Sequence, residues 1–288
     1  MIIMKIKIIT DSASDILQED GKKLGIDILP LKTIFSDEEF LDGVTITHEG
    51  FYKKLIETNE YPKTSQISPY DYEECFKKYK DCEVIVITLS KKLSGCYQSA
   101  MIAKEEFDNV SVVDSENVAI GEQILVKYAI ELANKGLSKD VIVNELNKCK
   151  KNIKVIALLD TLEYLKKGGR INAATAFVGT MLSIKPVVSV KDGKVVLVGK
   201  ARGSKNGNNM LRKLIGEYGG VDFNMPFVSA YTGLSDAMLI KYLEDSQDLY
   251  NFDMNDIPIS TIGSTIGTHV GPGAIAVAFF SKNKNIEA

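Results

Sequence analysis

The chain has 288 residues, 45% of them hydrophobic and 25% charged, with a formal net charge of -3. That length suggests two domains, and the composition is that of a globular chain able to bury a sizeable core. The acidic balance argues against nucleic acid as the main partner, and no apolar run reaches the 18 residues that would suggest a membrane span.

The first segment, MIIMKIKIIT, alternates Lys with Ile and reads as a strand over Lys5–Thr10. It lacks the long apolar stretch and small-residue cleavage site of a signal peptide, so a cytoplasmic protein is expected. Asp11-Ser12-Ala13-Ser14-Asp15 follows as a polar turn, with Asp11 or Ser12 as helix cap. A haloacid-type phosphatase would need a second Asp where Ala13 stands, which rules out that reaction. Gly25–Leu31 reads as a second strand and Thr33–Thr47 as a hairpin or wandering edge. A helix is expected over His48–Thr58, with His48 as a surface residue at its start. Thr64-Ser65-Gln66 reads as a polar loop. Ser68-Pro69-Tyr70-Asp71 is a strong helix start, with Ser at the cap, Pro at the first turn and Asp three residues on.

Glu83–Phe107 carries the clearest signal: a β-branched strand (Val84–Thr88), a hydroxyl-rich turn, then a helix. In a parallel α/β sheet, ligands sit where a strand end meets a helix start, and the unpaired N–H groups there favour an anion. Ser94-Gly95 places a hydroxyl beside a residue that admits close backbone approach, so this turn reads as an anion cradle. A strand at Val110–Val113 and helices at Ile120–Lys135 and Ser138–Lys150 complete a parallel sheet covered on both faces.

The pattern changes near residue 150. Lys154–Leu159 is a strand, and Arg170–Leu182 reads as a small-residue helix. Ile184–Val190 and Lys194–Val198 form a hairpin through an Asp192-Gly193 type I′ turn. Helices at Asn206–Tyr218 and Ser235–Asp245 alternate with strands at Pro226–Tyr231, Ile257–Thr261 and Ala274–Phe280. Hairpins mixed with helices point to a mixed or antiparallel sheet. The predicted fold is therefore α/β in two domains, residues 1–152 with a parallel sheet and residues 153–288 with a mixed one. Gly263–Gly273, with four glycines and a proline in eleven residues, reads as an ordered loop carrying His269. The four cysteines, Cys75, Cys82, Cys96 and Cys149, show no CxxC spacing and are expected as reduced thiols; with only two histidines, no metal site is expected.

Six pieces in order, IITDSASDI, PKTSQ-x-SP, LSKKLSGCYQSA, LEYLKKGGRI, KARGSK and THVGPGA, resemble the DegV family over almost the whole chain. The resemblance implies two α/β domains of the EDD fold that hold one long-chain fatty acid, such as palmitate, in a tunnel. It also implies a non-catalytic role, as the lipid-binding subunit that presents the acyl carboxylate to a separate ATP-using fatty acid kinase. Residue by residue, it implies that Thr64 and Ser94 bind the carboxylate, with Ser65 and Gly95 beside them and His269 close by. Arg170 and Arg202 match arginines associated with kinase docking. Cys96 departs from the Thr usual after Ser-Gly in the family. No cofactor beyond the bound lipid is implied.

Two hydroxyls and a helix start are chemically suited to a carboxylate, and the Ala173–Ile184 helix (Ala176, Phe177, Thr180, Met181) is expected as part of the tail wall. The rival readings are a serine hydrolase using Ser94 and His269 with Asp11 or Asp114 as orienter, a self-contained kinase, and a lipid-sensing regulatory protein. Lys92-Leu93-Ser94-Gly95-Cys96 is not a G-x-S-x-G elbow, and no phosphate-binding G-x-x-x-x-G-K-[ST] motif is present.

Overall fold

The computed structural model of the chain describes residues 5–58, 60–171, 184–250 and 256–283. In chain order the first half runs β1 (Ile6–Asp11), α1 (Gln18–Leu24), β2 (Asp27–Leu29), β3 (Lys32–Phe35), β4 (Glu38–Leu41), α2 (His48–Thr58), β5 (Lys63–Ser65) and α3 (Pro69–Phe76). It continues with β6 (Glu83–Thr88), α4 (Cys96–Lys104), β7 (Val110–Asp114), α5 (Ile120–Asn134) and α6 (Lys139–Cys149). The second half comprises β8 (Ile153–Leu158), α7 (Glu163–Lys167), β9 (Ile184–Lys191), β10 (Lys194–Arg202), α8 (Gly203–Glu217) and β11 (Val228–Tyr231). It ends with α9 (Ala237–Glu244), β12 (Ile259–Thr261), α10 (Ser264–Val270) and β13 (Ile275–Phe280).

Three sheets organise these elements. A four-stranded parallel sheet has the order β2-β1-β6-β7, and its inner strand β6 is buried from Val84 to Thr88. That burial explains the unbroken β-branched run, because a parallel strand is covered on both faces. A six-stranded mixed sheet has the order β10-β9-β8-β13-β11-β12, antiparallel except between β11 and β12. The β9–β10 hairpin turns through Asp192 (φ 49°) and Gly193 (φ 74°), as the primed turn requires. A small antiparallel sheet has the order β4-β3-β5.

Helix α5 lies between the two large sheets. Its buried residues run from Ile120 through Val126 and on to Leu132 with no polar face of ordinary width, as expected of a helix covered on all sides. Gly121 permits the approach: a Cβ there would lie 2.4 Å from Val155 Cγ2 on β8.

Three sequence expectations need correcting. Thr64-Ser65 is not loop but the edge strand β5, because Thr64 pairs with Thr33 and Ser65 with Lys32 on β3. The 263–273 segment is not all loop: α10 forms within it because two first-half carboxylates hold its start. Asp15 Oδ1 accepts the Gly263 N–H at 2.7 Å, and Asp42 Oδ1 accepts the N–H and the hydroxyl of Ser264, both at 2.8 Å. His48 is not a surface residue: it is half-buried, with Nδ1 2.9 Å from the Ile262 carbonyl oxygen and Nε2 2.8 Å from that of Gly233. Residues 172–183, where a small-residue helix with Ala176, Phe177, Thr180 and Met181 is expected, lie outside the described residues. By contrast, the helix start at Ser68 forms the full capping box with Asp71, and Pro69 occupies the first turn.

Because the α5–β8 contact has no slack, Gly121→Leu is expected to destabilise the fold by about 2–3 kcal/mol through overpacking. Urea unfolding followed by circular dichroism checks this; an unchanged midpoint would mean that the helix and the strand stand further apart than described.

Candidate functional site

Strand β1 leaves for β2 on one side and β6 leaves for β7 on the other, so the ligand crevice of the parallel sheet opens between β1 and β6. That crevice is already filled. Asp11, at the end of β1, accepts the Leu89 N–H on Oδ2 (2.9 Å) and the Ala13 N–H on Oδ1 (3.0 Å). Burial pushes its pKa up to about 7, and the two backbone donors oppose that rise. The chain thus supplies its own carboxylate where a bound anion would sit, and the open space lies to the side, past Ser94.

The turn after β6 is tightened by Ser94 N–H donating to the Ser90 carbonyl (3.2 Å). Ser94 Oγ is only lightly engaged, donating to Cys96 Sγ at 3.3 Å and accepting from the Cys96 N–H at 3.4 Å. A thiol is a weak acceptor, and burial pushes that of Cys96 up to about 12, so it stays protonated and the serine hydroxyl is easily redirected.

Facing this turn, β5 presents Thr64, whose Oγ1 lies 2.9 Å from His269 Nε2 on α10. His269 Nδ1 is buried with no partner, pressed against Gly168, where a Cβ would lie 2.1 Å from it. Burial, and then the Arg170 charge, lower the His269 pKa to about 4, so the ring is neutral at pH 7. A neutral ring with its proton on Nδ1 would bury an unpaired donor. The favoured tautomer therefore carries it on Nε2, donating to Thr64 Oγ1. The threonine O–H is then free to donate elsewhere.

Arg170 is half-buried, not a free surface charge. Its Nε donates to the Leu93 carbonyl (3.1 Å) and its Nη1 to the Gly168 carbonyl (2.6 Å), so it braces the Ser94 turn against the end of α7. Arg202 ends β10, exposed, outside the lining of the cavities described next.

Two chambers adjoin here. The first, of about 840 Å³ including its mouth, is lined by Thr64, Ser65, Gln66, Ser94, Gly95, Arg170 and His269 together with apolar residues. The second, of about 580 Å³, is lined almost wholly by apolar atoms, among them Ile120, Ala157, Val188, Ala230 and Ala274. Val118, Leu165, Val195, Ile266 and Val270 line both, so a polar chamber and an apolar one adjoin across a shared wall.

The residues singled out in sequence, Thr64, Ser65, Ser94, Gly95, His269 and Arg170, thus meet at one chamber, and Arg202 does not. A tunnel for the tail was expected, but the residues that line this apolar chamber were not named in sequence. Its signal lies in the alanines of β8, β11 and β13, too small to fill the space between sheet and helices. The hydrolase constellation is not assembled. His269 Nε2 faces Thr64, not Ser94, and no carboxylate reaches Nδ1. Asp11 holds its backbone donors, and Asp114 Oδ1 accepts the N–H groups of Lys91 and Glu116. Among the described residues, no group of three or more His, Cys, Asp or Glu side chains is placed to hold a metal ion, and no helix is long and apolar enough to cross a membrane.

Comparison with known proteins agrees with the fold. Residues 5–282 match the family model described as "Uncharacterised protein, DegV family". A DegV domain-containing protein of Caldanaerobacter subterraneus is 33% identical over 284 residues, covering 96% of this chain and 99% of the relative. Among solved structures, a fatty-acid-binding DegV family protein from Thermus thermophilus is 31% identical, with a TM-score of 0.86, over 96% of this chain and 100% of the other. A DegV lipid-binding protein from Thermotoga maritima is also 31% identical, with a TM-score of 0.85, over 96% and 98%. With the two α/β sheets, the shared motifs and the matched length all in agreement, this chain belongs to the DegV family.

Proposed function

We propose that the chain binds one long-chain fatty acid, with its carboxylate at Thr64 and Ser94 and its tail in the apolar chamber, and presents it to a separate ATP-using fatty acid kinase. The observation that carries this proposal is that a hydroxyl-lined chamber directly adjoins a nearly wholly apolar one, with five lining residues in common. Few ligands want both. A sixteen-carbon tail gains about 0.8 kcal/mol per buried methylene, roughly 11 kcal/mol in all, of which immobilisation takes back several. A buried carboxylate without donors would cancel much of the remainder. Two redirected hydroxyls meet that need, with Ser65 and Gly95 beside them. His269 orients the Thr64 hydroxyl, and the carbonyl-held Arg170 adds a fixed positive charge. The fatty-acid-binding relatives named above support the same assignment. In this scheme residues 1–152 form the domain that supplies the carboxylate cradle, and residues 153–288 form the domain that supplies most of the tail wall.

Among the described residues, no nucleophile and base are assembled for the kinase step. Arg202, exposed and outside the cavity, suits a contact with the acidic surface of a partner, and Arg170 at the mouth suits a contact with the carboxylate as it is handed on.

Native mass spectrometry of the protein as purified from cells tests the proposal: a stoichiometric adduct of fatty acid mass is expected. An empty protein that also takes up no added palmitate would overturn it. Ser94→Ala is expected to weaken palmitate binding by about 1–3 kcal/mol, the cost of leaving a buried acceptor short. An unchanged affinity would place the cradle elsewhere.

Arg202→Ala should leave palmitate affinity intact and slow phosphorylation of the bound acid by added kinase; loss of lipid binding instead would contradict the docking role.

His269 also makes stability depend on pH. Its folded-state pKa of about 4 lies below the ordinary 6.5, so the unfolded chain takes up the proton first as pH falls. Stability is fully present above pH 6.5 and is lost progressively down to about pH 4, by roughly 3 kcal/mol. The difference in unfolding free energy between ligand-free wild type and His269→Gln should therefore be flat above pH 6.5 and move in favour of the variant below it. A difference independent of pH would show that the ring is not held neutral.

A further inference from the structure

Resting on the fatty acid assignment, we propose that the side-chain amide of Gln66 is a third donor to the bound carboxylate and sets the preference for an ionised head group. Gln66 stands two residues after Thr64, packs against the residue after Ser94 and lines the polar chamber. Although exposed at the chamber mouth, it is fixed in place. Nε2 donates to Ser99 Oγ at 2.9 Å, and Ser99 is fully buried on α4.

The amide lies flat on Gly95. A Cβ at that position would stand 2.0 Å from Gln66 Oε1, 2.6 Å from Cδ and 2.7 Å from Nε2. Gly95 has φ −83° and ψ 3°, a conformation open to any residue. Its backbone shape therefore does not call for glycine, whereas the close approach of the Gln66 amide does.

The amide has two orientations of nearly equal worth, related by a half-turn of its plane. A serine hydroxyl both donates and accepts, so Ser99 satisfies Nε2 in one orientation and Oε1 in the other. In the second orientation the NH₂ group faces the chamber. With the chamber empty nothing opposes the first; an anion at Thr64 and Ser94 selects the second. A carboxylate offers about four lone-pair sites, and two hydroxyls fill only two of them, so a further donor at its edge removes an unmet acceptor.

The test uses [1-¹³C]palmitate bound to the full chain, with the carboxyl carbon followed by NMR as pH is varied, in wild type, Gln66→Met and Gln66→Glu. If the amide donates to the ionised carboxylate, its loss destabilises that form. The bound carboxyl should then titrate about one pH unit higher in Gln66→Met and higher still in Gln66→Glu. Palmitate affinity at pH 8 should fall about five- to twentyfold and more than twentyfold, respectively. A bound carboxyl that titrates as in wild type in both variants, whatever their affinities, would overturn the proposal and leave Gln66 a spacer between β5 and α4. Failure of wild type itself to bind labelled palmitate would overturn the fatty acid assignment, and the role of Gln66 with it.

Discussion

The grip of Asp15 and Asp42 on the start of α10 is the interaction on which the site depends. The sequence of α10, Ser264-Thr265-Ile266-Gly267-Thr268-His269-Val270, is poor in helix formers. It folds as a helix because two carboxylates from the other half satisfy its first N–H groups, and the hydroxyl of Thr33 joins that of Ser264 at 2.8 Å. From that anchor, the last turn delivers His269 to Thr64 and sets Ile266 and Val270 between the two chambers. The arrangement has a cost. Asp15 is buried with Oδ2 unpartnered, and burial raises its pKa well above the ordinary carboxylate range. The two halves are held together by a contact that is expensive to make and therefore specific to this docking.

Around that contact the molecule separates two solvents. At the mouth, polar groups are either committed to the backbone, as Arg170 is, or loosely held, as Ser94 is. Behind them the wall turns apolar at once, and alanines on β8, β11 and β13 leave the space open. A lone cation deep in such a space would be costly, whereas neutral hydroxyls can be covered or uncovered with little change in solvation. Among the described residues, the one cation that lines the polar chamber, Arg170, is half-buried and held by the carbonyls of Leu93 and Gly168.

What sequence revealed and what it hid follow from the range of the forces involved. The capping box at Ser68 and Asp71 spans three residues, and the Asp192-Gly193 turn spans two, so both are written locally. The covered strand Val84–Thr88 declares itself by its β-branched run. Helix α10 does not, because its caps, Asp15 and Asp42, lie more than two hundred residues upstream. Strand β5 is three polar residues whose only reason to extend is the neighbouring β3. His48 looks like any helix-start histidine until the carbonyls of Ile262 and Gly233 are brought to it. The polar end of the site was legible because hydroxyls and glycines cluster in short motifs. The apolar end was not, because a chamber is made of atoms that are missing, and no motif records them.

Asp11 has a wider consequence. Its carboxylate takes both backbone donors at the crevice between β1 and β6, the place where sheets of this topology seat nucleotides. A phosphate arriving there would find both backbone donors already taken by Asp11. The seat that this topology offers to an anion is thereby occupied by a residue of the chain itself, and the open space is displaced to its side, past Ser94.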